Sequence, residues 1–148
     1  MRREFPDRPI IGVGGVVIHR DRVLLVRRRR EPLKGKWSIP GGMLELGEEL
    51  AAGVRRELKE ETGLEVQPLE VLTVFDRITP LGRRVRYHYV IVDFACRLKR
   101  GRLAPASDVD EARWVRREDL DHYHLTAKAT SVILQAFEFF KRHKQSIR

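Results

Sequence analysis

Apolar residues come in short blocks along the N-terminal part of the chain and then switch to helical spacing. Ile10, Ile11, Val13, Val16, Val17 and Ile18 predict a strand over Ile10–His19, interrupted by Gly12, Gly14 and Gly15. Arg20-Asp21-Arg22 predicts a turn, and Val23–Val26 a second strand that folds back on the first as a hairpin. Glu31–Gly35, with Pro32 and Gly35, reads as a loop, and Trp37–Ile39 as a short apolar piece closed by Pro40-Gly41-Gly42. At that tripeptide the proline stops a ladder, while the glycines permit positive φ and close backbone approach. Leu50, Ala51, Val54 and Leu58 then predict a helix from about Glu49 to Thr62. Gly63 stands where a left-handed cap wants glycine, and Leu64 is placed for the apolar contact that accompanies it. Val66–Phe75 and Arg84–Arg97 predict two longer strands, separated by a loop holding Pro80 and Gly82. Ala112–Val115 is a short strand, and a second helix runs from near Thr126 to His143 with Ile133, Ala136, Phe137 and Phe140 on one side. With no internal repeat and no linker rich in Ser or Gly, residues 1–148 read as one mixed α/β domain.

Composition narrows the class. A chain of 148 residues with 42% hydrophobic and 34% charged positions buries a real core and is neither disordered nor fibrous. No apolar run approaches the roughly 20 residues that span a bilayer. The start, Met1 to Pro9, has basic residues but no apolar segment leading to a cleavage site, so no secretory leader is expected and the cytoplasm is the default compartment. The single cysteine, Cys96, lies in an apolar stretch and is expected as a buried thiol. A net charge of +9 favours anionic partners such as nucleotides, nucleic acid or an acidic membrane surface, without choosing among them. The basic clusters at Arg27–Arg30, Arg97–Arg102 and Lys141–Arg148 read as solvated faces.

The candidate chemistry lies between Gly42 and Leu64. At about 100° per residue, Glu57, Glu60 and Glu61 share an arc of about 100°, and Leu50, Ala51, Val54 and Leu58 form the apolar arc that seats the helix on a sheet. Carboxylates at i,i+3 and i,i+4 lie about 5–6 Å apart. At an effective dielectric near 20 each such pair costs roughly 3 kcal/mol. They also crowd the C-terminal half of a helix, where the macrodipole disfavours negative charge. Stability alone would not select this pattern, whereas a divalent cation would relieve it. An all-oxygen donor set suits Mg²⁺ or Mn²⁺, and no His/Cys spacing offers a zinc site. From Glu48 to Glu61 five glutamates stand against Arg55, Arg56 and Lys59, so an acidic strip is set in a basic chain. Acidic ligands for cations, surrounded by Arg and Lys for a polyanion, suit a metal-dependent enzyme acting on phosphates.

Gly42, five residues, Glu48, seven residues, then Arg56-Glu57-Leu58-Lys59-Glu60-Glu61-Thr62-Gly63-Leu64 resembles the Nudix box at every defined position. The resemblance extends more loosely over the flanks. It implies the Nudix α/β/α sandwich, with a mixed sheet between helices, and hydrolysis of a nucleoside diphosphate linked to another moiety, X. It implies that Glu57 and Glu61 ligate the divalent cations, helped by Glu60 and the carbonyl of Gly41, while Arg56 orients Glu48 and Glu57. The general base stays open between a helix glutamate such as Glu57 or Glu60 and an acidic residue before Trp114. Asp108 stands six residues ahead of that tryptophan, with Asp110 and Glu111 as competitors.

For X, Tyr87 to Phe94 with the Trp114 strand is similar to the small bacterial ADP-ribose pyrophosphatases, and Pro80 falls sixteen residues after Leu64, where those hydrolases often have a proline. The implied reaction gives AMP and ribose 5-phosphate. Phe75, Tyr87 or Tyr89 could stack on the adenine, and Arg28 is the candidate phosphate contact. His88 reads as a packed residue. Alternatives are a pyrophosphatase for nucleoside triphosphates, oxidised ones included, and an RNA- or nucleotide-binding module. No RNA-recognition aromatic pattern or helix-turn-helix is present, so nucleic acid is not the expected partner. ADP-ribose hydrolases commonly dimerise, which makes a homodimer an open expectation.

Overall fold

The protein is described here from a computed structural model covering residues 2–143, so the end of the Lys141–Arg148 cluster lies outside the described residues. The organising strand is β1 (Ile10–His19). It runs parallel to β6 (Arg84–Gly101), with Ile10 opposite Tyr89 and Val17 opposite Cys96. Its first half pairs antiparallel with β4 (Gly41–Met43), and its end turns back into β2 (Arg22–Arg28) through Ile18 and Val23. β2 carries β3 (Trp37–Ser38) and β7 (Val109–Arg116), and β5 (Leu64–Leu81) lies outside β6 as an antiparallel edge. The sheet order is β3-β2-β1-β6-β5, with β4 added on β1 and β7 on β2. This is the expected mixed sheet, with helices packed against both faces.

The strand pleat sorts the core, because successive side chains point to opposite faces. Val13 and Val17 of β1 join Val54 and Leu58 of α1 (Leu50–Thr62) in one apolar cluster with Leu64, Val92, Phe94 and Cys96. Val16 joins Val132, Ile133 and Ala136 of α2 (Ala127–Arg142) in a second cluster on the other face. A Cβ on Gly15 would press on Leu58 at 2.9 Å and Cys96 at 3.0 Å, so glycine lets α1 sit close on the sheet. Cys96 is a fully buried free thiol, as expected, and burial pushes it up.

Several expectations change. The Trp37–Ser38 ladder ends before Pro40 as expected, but the glycines after it do not stay open as a turn: Gly41-Gly42-Met43 forms a strand because β1 offers it a backbone partner. Pro80 lies inside β5 opposite Val85 rather than in a loop. On an edge strand the missing N–H costs no ladder bond, and a register shift between Thr79 and Pro80 absorbs it. Leu50 is partly exposed at the first turn of α1, and on α2 the buried phenylalanine is Phe139, with Phe137 and Phe140 half-buried. A 3-10 helix over Arg117–Tyr123 was not foreseen. Gly63 caps α1 with φ 78°, its N–H donating to the Lys59 carbonyl. Among the described residues no helix is long and apolar enough to cross a membrane.

Candidate active site

α1 starts at Leu50 with no side-chain cap on its first turn. The preceding loop is held from inside the helix instead. Arg56 forks onto Glu48, Nε donating to Oε2 at 2.7 Å and Nη2 to Oε1 at 2.9 Å. Nη2 also reaches the Met43 carbonyl at 2.9 Å, and Nη1 donates to Glu57 Oε1 at 2.8 Å. One guanidinium therefore ties strand β4, the loop and the helix together, using the planar donor fork that lysine lacks. The Arg56 hydrogen bonds hold the Glu48 carboxyl down at about 2, against the desolvation that opposes them. Glu60 takes only a 3.4 Å bond from Arg56 and stays on the solvent side of the helix, outside the cleft.

Glu61 is treated differently. It is 3% exposed and accepts one hydrogen bond, 2.9 Å from the backbone N–H of Gly41. Burial pushes its carboxyl up to about 8, with the neighbouring Glu57 charge adding to the shift. Burial also raises Glu57, although Arg56 pulls the other way. Both glutamates line one cleft with Gly41 and Gly42. A Cβ on Gly42 would collide with the Glu57 carboxylate, and one on Gly41 with the Val13 carbonyl, so the glycines keep this approach open. Among the described residues no three His, Cys, Asp or Glu side chains converge as a ready metal cage. A buried and a half-buried carboxylate that repel each other over a glycine strand nevertheless fit a hard divalent cation, which would relieve both.

The cleft floor is formed by Gly12, Gly14, Ile91 and Asp93, and its walls include Phe75, Arg77 and Tyr89. Arg3, Arg28 and Asp108 also line it. Asp108 is tied to Arg30 at 3.0 Å and Arg3 at 3.9 Å, whereas its competitors lie outside the cleft: Asp110 pairs with Arg27 at 2.8 Å, and Glu111 with Arg113 at 2.7 Å. Arg28 donates from Nε to the Pro32 carbonyl at 3.2 Å at the cleft edge. Of the three candidate stacking rings, Phe75 and Tyr89 reach the cleft. Tyr87 is buried behind Tyr89, their centroids 6.4 Å apart, in a small cluster with Ile10. Sequence reasoning missed Asp93 and Arg77. The signal for Asp93 was available: it is the one acid in the apolar run from Val90 to Cys96.

A mixed sheet between helices, with a glycine-floored cleft edged by the acidic face of one helix, is the layout of a Nudix hydrolase. The chain belongs to this family: the NUDIX domain matches residues 8–137. It is 34% identical over 106 residues to the ADP-ribose pyrophosphatase of Methanocaldococcus jannaschii, covering 72% of this chain and 61% of that protein. Over 57 residues, 38% of this chain and 18% of the relative, it is 39% identical to the human 8-oxo-dGDP phosphatase NUDT18. The crystal structure of a MutT NUDIX hydrolase from Burkholderia pseudomallei superimposes with a TM-score of 0.76 at 26% identity, covering 87% of this chain and 98% of that one. The chain spans about three-fifths of the length of the curated relatives with ADP-ribose pyrophosphatase in their names.

Proposed function

We propose that this chain is a Mg²⁺-dependent pyrophosphohydrolase that cleaves the diphosphate of a nucleoside diphosphate linked to a second group, with ADP-ribose as the leading substrate. The observation that carries the reading is the pair of carboxylates, buried Glu61 and half-buried Glu57, facing a cleft whose other polar wall is arginine. Glu57 and Glu61 would hold the cation, with the Gly41 backbone beside them and Glu60 as the outer member. Mn²⁺ could substitute, because the donors are hard oxygens. Bound there, the cation neutralises charge on the diphosphate and makes the attacking water more acidic.

The chain's own residues do the rest. Arg56 fixes the rotamer of Glu57 through Nη1 and anchors the loop through Glu48, so the carboxylate is aimed before substrate arrives. Arg28 and Arg3 supply positive charge for the phosphates at the cleft edge. Asp108 is the acid from β7's approach that reaches the cleft, and it serves as the candidate proton acceptor or outer ligand. Phe75 and Tyr89 offer ring surface to a base. The ADP-ribose reading is supported by the likeness to the Methanocaldococcus jannaschii ADP-ribose pyrophosphatase. A second reading, hydrolysis of nucleoside triphosphates including oxidised ones, is supported by the likeness of part of the chain, 45% identical over 62 residues, to the putative 8-oxo-dGTP diphosphatase 2 of Mycobacterium tuberculosis.

The test is product analysis after incubation with ADP-ribose, with and without Mg²⁺, beside an equal panel of nucleoside triphosphates. AMP and ribose 5-phosphate, formed only with metal and faster than any triphosphate turns over, is the expected result. Turnover of triphosphates with ADP-ribose untouched selects the second reading. Failure to turn over either overturns both and leaves a nucleotide-binding module.

A further inference from the structure

Asp93 has no place in the metal chemistry, yet it is the most unusual charge in the cleft. The β6 register sets it opposite Gly14 of β1 and Thr73 of β5. The pleat turns it to the cleft face with Ile91 and Tyr89, while Val92 and Phe94 point into the α1 core. Its residue is 3% exposed, and among the described residues no side chain closes on its carboxylate in a short ion pair; Arg77 and Lys128 act on it only at longer range. The nearby cations do not close on it. Arg77 lies over the Phe75 ring at 5.6 Å and Lys128 over the same ring at 5.0 Å. Gly14 leaves the space the carboxylate occupies, since a Cβ there would collide with Oδ1. Burial pushes the carboxyl up to about 6 against the pull of Arg77 and Lys128, so at neutral pH the fold carries a largely desolvated charge with only longer-range cations to balance it. Buried polar groups are ordinarily hydrogen-bonded, and an exception calls for a ligand or a cost.

We propose that Asp93 reads the substrate's base, accepting a hydrogen bond from an exocyclic amino group. The inference rests on the nucleotide reading above and deepens it. A planar ring lying against the side-chain-free floor at Gly12 and Gly14, between Phe75, Ile39 and Ile91, would present its edge to Asp93. An ionised carboxylate only accepts. Adenine, cytosine and guanine each carry an amine that donates. Hypoxanthine and uracil place a carbonyl oxygen where adenine and cytosine place that amine, and the carboxylate repels it. Discrimination then comes from rejecting the wrong base as well as from binding the right one, because a mismatched base leaves the buried acceptor unpaired. For ADP-ribose, the group read is the adenine N6 amine.

The experiment compares AMP with IMP and CMP with UMP by calorimetric titration into the full chain with Mg²⁺ present, since mononucleotides have no anhydride to cleave. The amino member of at least one pair binds about 10–100-fold more tightly, the worth of a charged hydrogen bond. In Asp93→Asn the preference falls to within about threefold, because the amide both donates and accepts. The melting temperature of that variant stays level or rises, whereas loss of a structural carboxylate would lower it. Asp93→Ser serves the same comparison if the amide variant does not fold. A wild-type ratio near one for both pairs overturns the assignment, and so does a preference that survives in the folded variants. Hydrolysis of ADP-ribose with no amino preference fails this inference alone. An amino preference without hydrolysis fails only the catalytic reading.

Discussion

Glu48 and Glu61 bracket the same helix and are handled in opposite ways. Glu48, with a side chain 14% exposed, is gripped by the Arg56 fork and held at about 2, so it is ionised at every physiological pH. Glu61, buried deeper, receives a single backbone N–H and is pushed up to about 8. The start of the helix is electrostatically finished where it meets the loop: Glu48 and Arg56 satisfy each other within the chain. The end is unfinished, and burial next to Glu57 raises the cost of leaving it so. Identical side chains in one motif thus divide into a group that builds the scaffold and a group that waits for a cation. Buried charges without partners are poor for stability, so their presence points to work done on something outside the chain.

The sharpest way to break this contrast is to neutralise each end in turn. Glu61→Gln keeps the shape and the bond from Gly41 while removing the charge. Metal-dependent hydrolysis should fall by at least about 10³-fold, corresponding to roughly 4 kcal/mol of transition-state stabilisation. The metal-free protein should melt no lower than the wild type, since a raised carboxyl is a cost to the fold. Residual activity within tenfold of wild type would remove Glu61 from the cation site. At the other end, Arg56→Lys leaves a positive charge but no fork. Activity should drop about 10–100-fold, as expected for a group that orients a ligand. The melting temperature should fall as well, because Glu48 and Glu57 lose their partner. A lower melting point with unchanged turnover would make Arg56 purely structural.

Both ends were legible in sequence as residues, though not in their burial. Gly42, Glu48 and Arg56–Leu64 announce themselves by spacing, and the helix that carries them follows from Val54 and Leu58 at helical intervals. What spacing could not convey was depth. The helical wheel puts Glu60 and Glu61 in one acidic arc, yet Glu61 falls at an angle shared with Leu50 and Val54 and is buried, while Glu60 faces solvent. Gly41–Met43 was invisible as a strand because its stability comes from β1, a long-range partner, and not from its own propensity. Pro80 misled because the ladder it interrupts has only one neighbour. Asp93 sits in an apolar run that reads as core, and only the vacant Cβ space of Gly14 in the adjoining strand reveals why an acid is tolerated there.

A second unfinished charge offers a gentler test of the same contrast. Asp93 has its folded carboxyl raised to about 6 from the usual 3.8. A group raised on folding contributes stability that is complete below the unfolded value and is lost as pH climbs through the folded one. The wild type should therefore lose stability relative to Asp93→Asn between about pH 4 and pH 6, by at most about 3 kcal/mol, and the gap should stay constant above that range. Chemical denaturation of both proteins across pH 4–8 measures it. A gap that does not change with pH would mean the carboxylate finds compensation in the folded protein.

The smallest effect is expected at Asp108, which lies between the two extremes. It lines the cleft like Glu61, but Arg30 at 3.0 Å and Arg3 at 3.9 Å partner it as Arg56 partners Glu48. Its side chain is 24% exposed, so those pairs work in partly screened surroundings. Its oxygens are already engaged by two guanidinium groups, which suits an outer ligand or an electrostatic guide better than a general base. Asp108→Asn should accordingly reduce kcat/KM by no more than about tenfold, the scale of one partly exposed charge interaction, and leave the shape of the pH–rate profile unchanged. A positioned general base is worth about 10²–10⁴-fold and leaves its ionisation in the acid limb of that profile. A loss of that size together with a displaced acid limb would move Asp108 from the guided side of the contrast to the centre of the reaction.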